Sequence, residues 1–115
     1  QVVKVGSRHD IIRGAAGKII LAYMTPKERR KLLESAAGDD EKFDQVRQNG
    51  YAISAGEREE GLFGLAVPVI GDDGRLIATI SMSGPTARFD NEGLAEKIHS
   101  MVEIGKRISN DWQMQ

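Results

Sequence analysis

Cysteine is absent from the 115 residues and histidine occurs only twice. Without cysteine there is no disulfide framework, no thiolate zinc site and no cysteine nucleophile, and the composition fits a reducing, cytoplasmic setting. Two histidines are too few for most zinc sites, so no metal or other cofactor is expected. Charge of one sign is also lacking: sixteen Lys plus Arg stand against seventeen Asp plus Glu, a net charge of -1. That leaves no electrostatic footprint for nucleic acid on this chain. The longest apolar run, Ile19 to Met24, falls far short of a membrane span, and no signal segment opens the sequence.

What is present fits one domain, which at this length buries roughly two-thirds of the surface its unfolded chain exposes. Val2, Val3 and Val5 read as a strand over residues 2–8, with nothing ahead to cap it, so a fragment of a longer polypeptide is expected. Gly14 to Met24 reads as a helix apolar nearly all round, and hence buried. Thr25-Pro26-Lys27-Glu28 carries the capping-box pattern, so a second helix starts at Pro26. Its Lys27, Arg29, Arg30 and Lys31 alternate with Glu28 and Glu34 and read as a solvated face, with Leu32 and Leu33 turned inward. Asp39 or Asp40 caps a third helix that ends at Gly50, where glycine suits a left-handed residue.

Tyr51 to Gly56, Leu62 to Ile70 and Leu76 to Ser83 then read as three antiparallel strands. From Asp90 a long helix runs towards Trp112, with Leu94, Ile98, Met101, Val102, Ile104, Gly105 and Ile108 as its apolar stripe, and lies across the sheet. The fold class is therefore α+β: an antiparallel sheet flanked by helices, with a long C-terminal helix packed on it.

The Asp73-Gly74 hairpin sets a register. A two-residue loop makes Asp72 face Arg75, so that Gly64 faces Ser83 and Ala66 faces Ser81. Side chains two apart share a face. Gly64, Ala66, Ser81 and Ser83 then form a floor of small residues with two hydroxyls at one end, and Ile70 and Ile77 fill the other. Such a floor either leaves room for a ligand or lets a helix pack closely on the sheet. Gly14-Ala15-Ala16-Gly17-Lys18 places small residues at a helix start, where free amides and the positive dipole end favour an anion such as a carboxylate. A phosphate-binding P-loop is excluded, because positions 12 and 19 are both isoleucine.

Ala16-Gly17-Lys18 with Leu21-Ala22, then Gly50-Tyr51, Gly56-Glu57, Gly61, Ala66-Val67-Pro68-Val69 and Ser81-Met82-Ser83-Gly84-Pro85 follow in an order that resembles the effector-binding domain of the IclR family of bacterial transcription regulators. The resemblance covers nearly the whole chain. It implies a GAF-like fold, with residues 1–115 forming a single effector-binding domain that lacks upstream strands and the N-terminal winged helix-turn-helix. It further implies a small-metabolite effector, often a carboxylic acid, a homodimer or homotetramer, and DNA contact only through the missing domain. The family's pocket falls at Ala15, Ala16, Ser54, Leu62, Gly64, Ser81 and Ser83. The chain departs from the family at Asp10-Ile11-Ile12, where a Pro-x-His segment is common, and at Ser54, where some members have an acid. Gly64 would enlarge the cavity and suit an aromatic or longer acid.

The remaining candidates carry no catalytic role. Glu57, Arg58, Glu59 and Glu60 form a turn in water, without the burial and cleft that paired catalytic carboxylates need. His9 reads as a strand-end surface residue or a pocket-mouth residue, and His99 as a partly buried structural one. No Ser nucleophile has its partners at recognisable spacing. Trp112 is expected to cap the sheet end rather than form an exposed patch. Two functions stay open: a ligand sensor acting on a separate DNA-binding domain, or a GAF- or PAS-like interaction module whose pocket is filled by its own side chains.

Overall fold

A computed structural model of the chain describes residues 14–33, 40–56, 60–86 and 93–114. The expected strand at 2–8, His9, Asp10-Ile11-Ile12, Asp39, Glu57 to Glu59 and Asp90 lie outside them. In chain order the elements are α1 (Ala15–Ala22), α2 (Pro26–Leu33), α3 (Asp40–Asn49), β1 (Ala52–Ala55), β2 (Leu62–Ile70), β3 (Leu76–Pro85) and α4 (Leu94–Gln113). The strands form an antiparallel sheet in the order β1-β2-β3, as expected.

The alternation of β2 divides the core between the two sheet faces. Phe63, Leu65 and Val67 pack with Met101 of α4, while Ala66, with Ala52 of β1, packs against Ala15 and Ile19 of α1 on the opposite face. Each helix approaches through a glycine. A Cβ built on Gly64 would lie 3.5 Å from the Ala15 Cβ, and one built on Gly105 would lie 3.0 Å from the Pro68 carbonyl oxygen. A third cluster, Leu21, Ala22 and Phe43, ties α1 to α3, with Leu32 and Leu33 of α2 against it.

The capping box forms in full: the Thr25 N–H donates to Glu28 Oε1 at 2.9 Å, and the Glu28 N–H donates to Thr25 Oγ1 at 3.1 Å. The Thr25 backbone N–H, and after it the Thr25 hydroxyl, hold the Glu28 carboxyl below its usual range. The solvated face of α2 needs one correction. Lys27, Arg30 and Lys31 are exposed, but Arg29 is only 2 % exposed. Its guanidinium donates to the carbonyls of Leu21 and Met24 and, at 2.7 Å, to Asp40 of α3, and it lies 4.6 Å from the Phe43 ring centre. A charge this deeply buried is tolerated because three acceptors, one of them a carboxylate, and a ring face meet the guanidinium. Helix α3 ends as read, with Gly50 at φ +81° donating to the Val46 carbonyl.

The β2–β3 turn differs from the two-residue loop. Gly71 N–H donates to the Arg75 carbonyl, Gly74 N–H donates to the Gly71 carbonyl, and Gly74 has φ +80°. The loop is thus Asp72-Asp73-Gly74, a three-residue turn whose last residue is left-handed. It pairs Ile70 with Leu76, yet the next pair is Val69 with Ala78. Ile77 is the residue passed over, a bulge that restores the register. It therefore does not fill the end of the floor and is exposed.

On α4, Met101, Gly105 and Ser109 are buried whereas Ile104 and Ile108 are exposed, because the helix sits over β2 and not across the whole sheet. Residues 67–70 of β2 run past the last pairing with β1, Ala52 with Ala66, and α4 supplies what that strand cannot. The Ile70 N–H donates to Ser109 Oγ at 2.9 Å, Ser109 Oγ donates to the Gly105 carbonyl, and Gln113 Nε2 donates to the Ile70 carbonyl. These two polar residues close the sheet end. Trp112, expected there, is 48 % exposed, and His99 is exposed too.

Candidate functional site

The sheet register brings five of the expected site residues onto the α1 face. Ser54 pairs with Gly64 and Gly64 with Ser83, making one row; Ala52, Ala66 and Ser81 make the next. Leu62, half-buried and paired with Pro85, lies two residues before Gly64 on the same face. Adjacent strands lie about 4.8 Å apart, so Ser83 stands one strand away from the glycine over which Ala15 packs.

The other two expected residues belong to the start of α1. Gly14 is the cap residue, with extended backbone and no side-chain bond, and the first turn holds no acid. The N–H groups of that turn have no acceptor within the helix, and the dipole adds positive potential there. Ala15 is buried against the sheet while Ala16 is half-buried beside it. Lys18, one turn on, donates from Nζ to the Ile53 carbonyl at 3.3 Å.

The floor turns out to have two halves. Over β1 and β2 it is closed: a Cβ on Gly64 would meet the Cβ atoms of Ala15 at 3.5 Å and Ser54 at 3.8 Å, and Ser54 and Ala66 are buried. Here small residues serve close helix packing, and Gly64 does not open extra room. Over β3 it is open, with Ser81 and Ser83 both exposed. The arrangement therefore offers two hydroxyls, which donate and accept, and a helix start that attracts an anion.

Among the described residues no three carboxylates or histidines converge to hold a metal, and no helix is long and apolar enough to cross a membrane. A second concavity lies elsewhere, beside residues 67–70 of β2, with a volume of about 350 Å³. It contains none of the expected site residues, and sequence reading missed it because four elements assemble it. Tyr23, half-buried at its rim, has its hydroxyl pKa raised by burial, with the Arg47 charge acting in the opposite sense.

Comparison with known proteins gives a consistent picture. Residues 1–110 match the family described as bacterial transcriptional regulator IclR, C-terminal. The HTH-type transcriptional regulator KdgR of Escherichia coli K12 is 34% identical over 119 aligned residues, covering 92% of this chain and 45% of KdgR. The chain spans about half the length of the curated relatives it matches, or less. The crystal structure of the C-terminal domain of E. coli KdgR superposes with a TM-score of 0.77 at 33% identity, over 90% of this chain and 71% of that one. The inducer-binding domain of PobR from Acinetobacter, a double mutant solved with 3-hydroxybenzoic acid, shares the fold with a TM-score of 0.73 at 21% identity, over 86% and 65%.

Proposed function

The chain belongs to the IclR family of bacterial transcriptional regulators, as part of an effector-binding domain and not an enzyme, and we propose that it binds a small carboxylic acid between the start of α1 and the open half of the sheet. Gly14, Ala15 and Ala16 offer main-chain N–H groups to the carboxylate. Ser81 and Ser83 take the polar groups of the acid's body, which lies over β3 because Ala15 already fills the space above Gly64. Ser54 and Leu62 support the two ends of the row. In the wider protein the domain is GAF-like, cytoplasmic, and paired in a homodimer or homotetramer. Effector occupancy biases the affinity of a winged helix-turn-helix for DNA.

The observation that carries this reading is the register that puts exposed Ser81 and Ser83 beside the Ser54–Gly64 row, which lies against the start of α1, where the cap residue Gly14 makes no side-chain hydrogen bond. Support for a ring-bearing acid comes from the PobR domain, which holds a hydroxybenzoic acid. One observation favours the interaction module instead: Ala15 fills part of the floor with the protein's own side chain. Isothermal titration with pyruvate and with 3-hydroxybenzoate separates the possibilities. Heat with the aromatic acid that disappears in the Ser81→Ala/Ser83→Ala double variant is expected. Tighter binding of pyruvate would reassign the size class, and no heat with a wider set of acids would favour the interaction module.

A further inference from the structure

The second concavity is built where β2 outruns β1. Its apolar part is offered by half-buried Pro68, Ile70 and Val102, with fully buried Val67 beneath them. Around it the polar side chains fall into two sets. Arg47 and Ser109 are committed to the protein itself: Arg47 donates to the Ala22 carbonyl and to Asp44, and Ser109 bridges Gly105 and Ile70. Tyr23, Gln48, Lys106 and Asn110 line the same space, and their side chains have no hydrogen-bond or ion-pair partner among the described residues. No Asp or Glu lines it.

Pockets for small organic ligands run from about 300 Å³ upwards and combine an apolar base with a few convergent polar groups. This one has that volume and that division. Arg47 is already paired with Asp44, which leaves Lys106 on α4 as the lining cation with no carboxylate partner among the described residues, so the complementary occupant carries an apolar body and one negative end.

We propose that the cleft between α3, α4 and the end of β2 that runs past β1 is a second ligand site, separate from the α1 site, for a small amphiphilic carboxylate held by Lys106 with its apolar part on Pro68, Ile70 and Val102. Tyr23 and Asn110 supply neutral hydrogen bonds at the rim. The cleft contains no residue of α1, meeting only Tyr23 just past its end, so the two sites can be emptied independently.

The test is an amide-resolved NMR titration of the chain with hexanoate, with neutral hexanamide as the comparison. The expected result is saturable shifts at Gly50, Lys106 and Asn110 with hexanoate, weakened by about tenfold in Lys106→Gln, the loss of one charge-assisted hydrogen bond. Lys106 is exposed, and an unchanged spectrum of the free variant establishes that its fold is intact. Ser81→Ala/Ser83→Ala leaves these shifts in place. Hexanamide binding as tightly as hexanoate would overturn the anionic assignment. Shifts confined to the Ala15 and Ser83 region would overturn the second site while supporting the first, and equal affinity in Lys106→Gln would also overturn it.

Discussion

Replacing Gly105 by alanine sets two known effects against each other. In the interior of a helix, Gly→Ala ordinarily stabilises by about 1 kcal/mol, because glycine has more backbone freedom to lose. At Gly105 the added methyl would lie 3.0 Å from the Pro68 carbonyl oxygen, 3.1 Å from Val67 Cγ2 and 3.4 Å from Val67 Cβ. Neither neighbour yields easily: one is main chain of the middle strand and the other is a fully buried side chain. Overpacking of this kind costs about 1–3 kcal/mol. The net is a loss of about 1 kcal/mol, read in urea as a lower midpoint at constant slope. Gly64→Ala is the control, because its methyl would make ordinary contacts at 3.5 and 3.8 Å, and no loss is expected. A Gly105→Ala variant as stable as the parent would refute the claim that α4 rests on β2 through this contact.

Other substitutions probe the framework around the sites. Arg29→Ala leaves the Leu21 and Met24 carbonyls without their donor and empties the space beside Phe43, and should lower stability by about 3 kcal/mol; Asp40→Asn, at a half-exposed partner, should cost far less in the same urea assay. Ser109→Ala strands the Ile70 N–H and should cost about 1–2 kcal/mol, with faster exchange of the Ile70 amide. Thr25→Ala removes the cap of α2 and should cost about 1 kcal/mol. Because the folded pKa of Glu28 is lowered from 4.5, its contribution is present above that value and lost as pH falls through the folded pKa. Acid titration of stability below pH 4.5 should thus be flatter in Glu28→Gln than in the parent, while Thr25→Ala, which keeps the backbone N–H that lowers the pKa most, retains most of the slope.

The features legible in the sequence were those set by short spacings. The capping box needs only Thr25 and Glu28, and both bonds form. The floor's register followed from strand alternation and survived a wrong loop, since the Ile77 bulge cancels the extra residue of Asp72-Asp73-Gly74. Asp-Gly suits both two- and three-residue hairpins, so the loop itself was ambiguous. Arg29 was misread because its acceptor Asp40 and its ring Phe43 come from another helix, and nothing within α2 marks one cation of four as inward. The stripe on α4 was drawn too wide for the same reason: Ile104 and Ile108 would be buried only if the helix covered more than β2. At the candidate site, which residues share a face was readable, but not that Ala15 closes the half over Gly64. That depends on how far α1 settles onto the sheet.

The most direct measurement is thermal unfolding of the chain against a panel of small aliphatic and aromatic carboxylates. The account predicts that at least one acid raises stability, by about 2.7 kcal/mol at a hundred times its dissociation constant, with a gain that Lys106→Gln keeps and Ser81→Ala/Ser83→Ala abolishes, whereas an acid bound at the second cleft shows the reverse pattern. A panel with no acid whose gain persists in Lys106→Gln, or such a gain untouched by loss of both hydroxyls, would contradict the placement of an effector between α1 and β3.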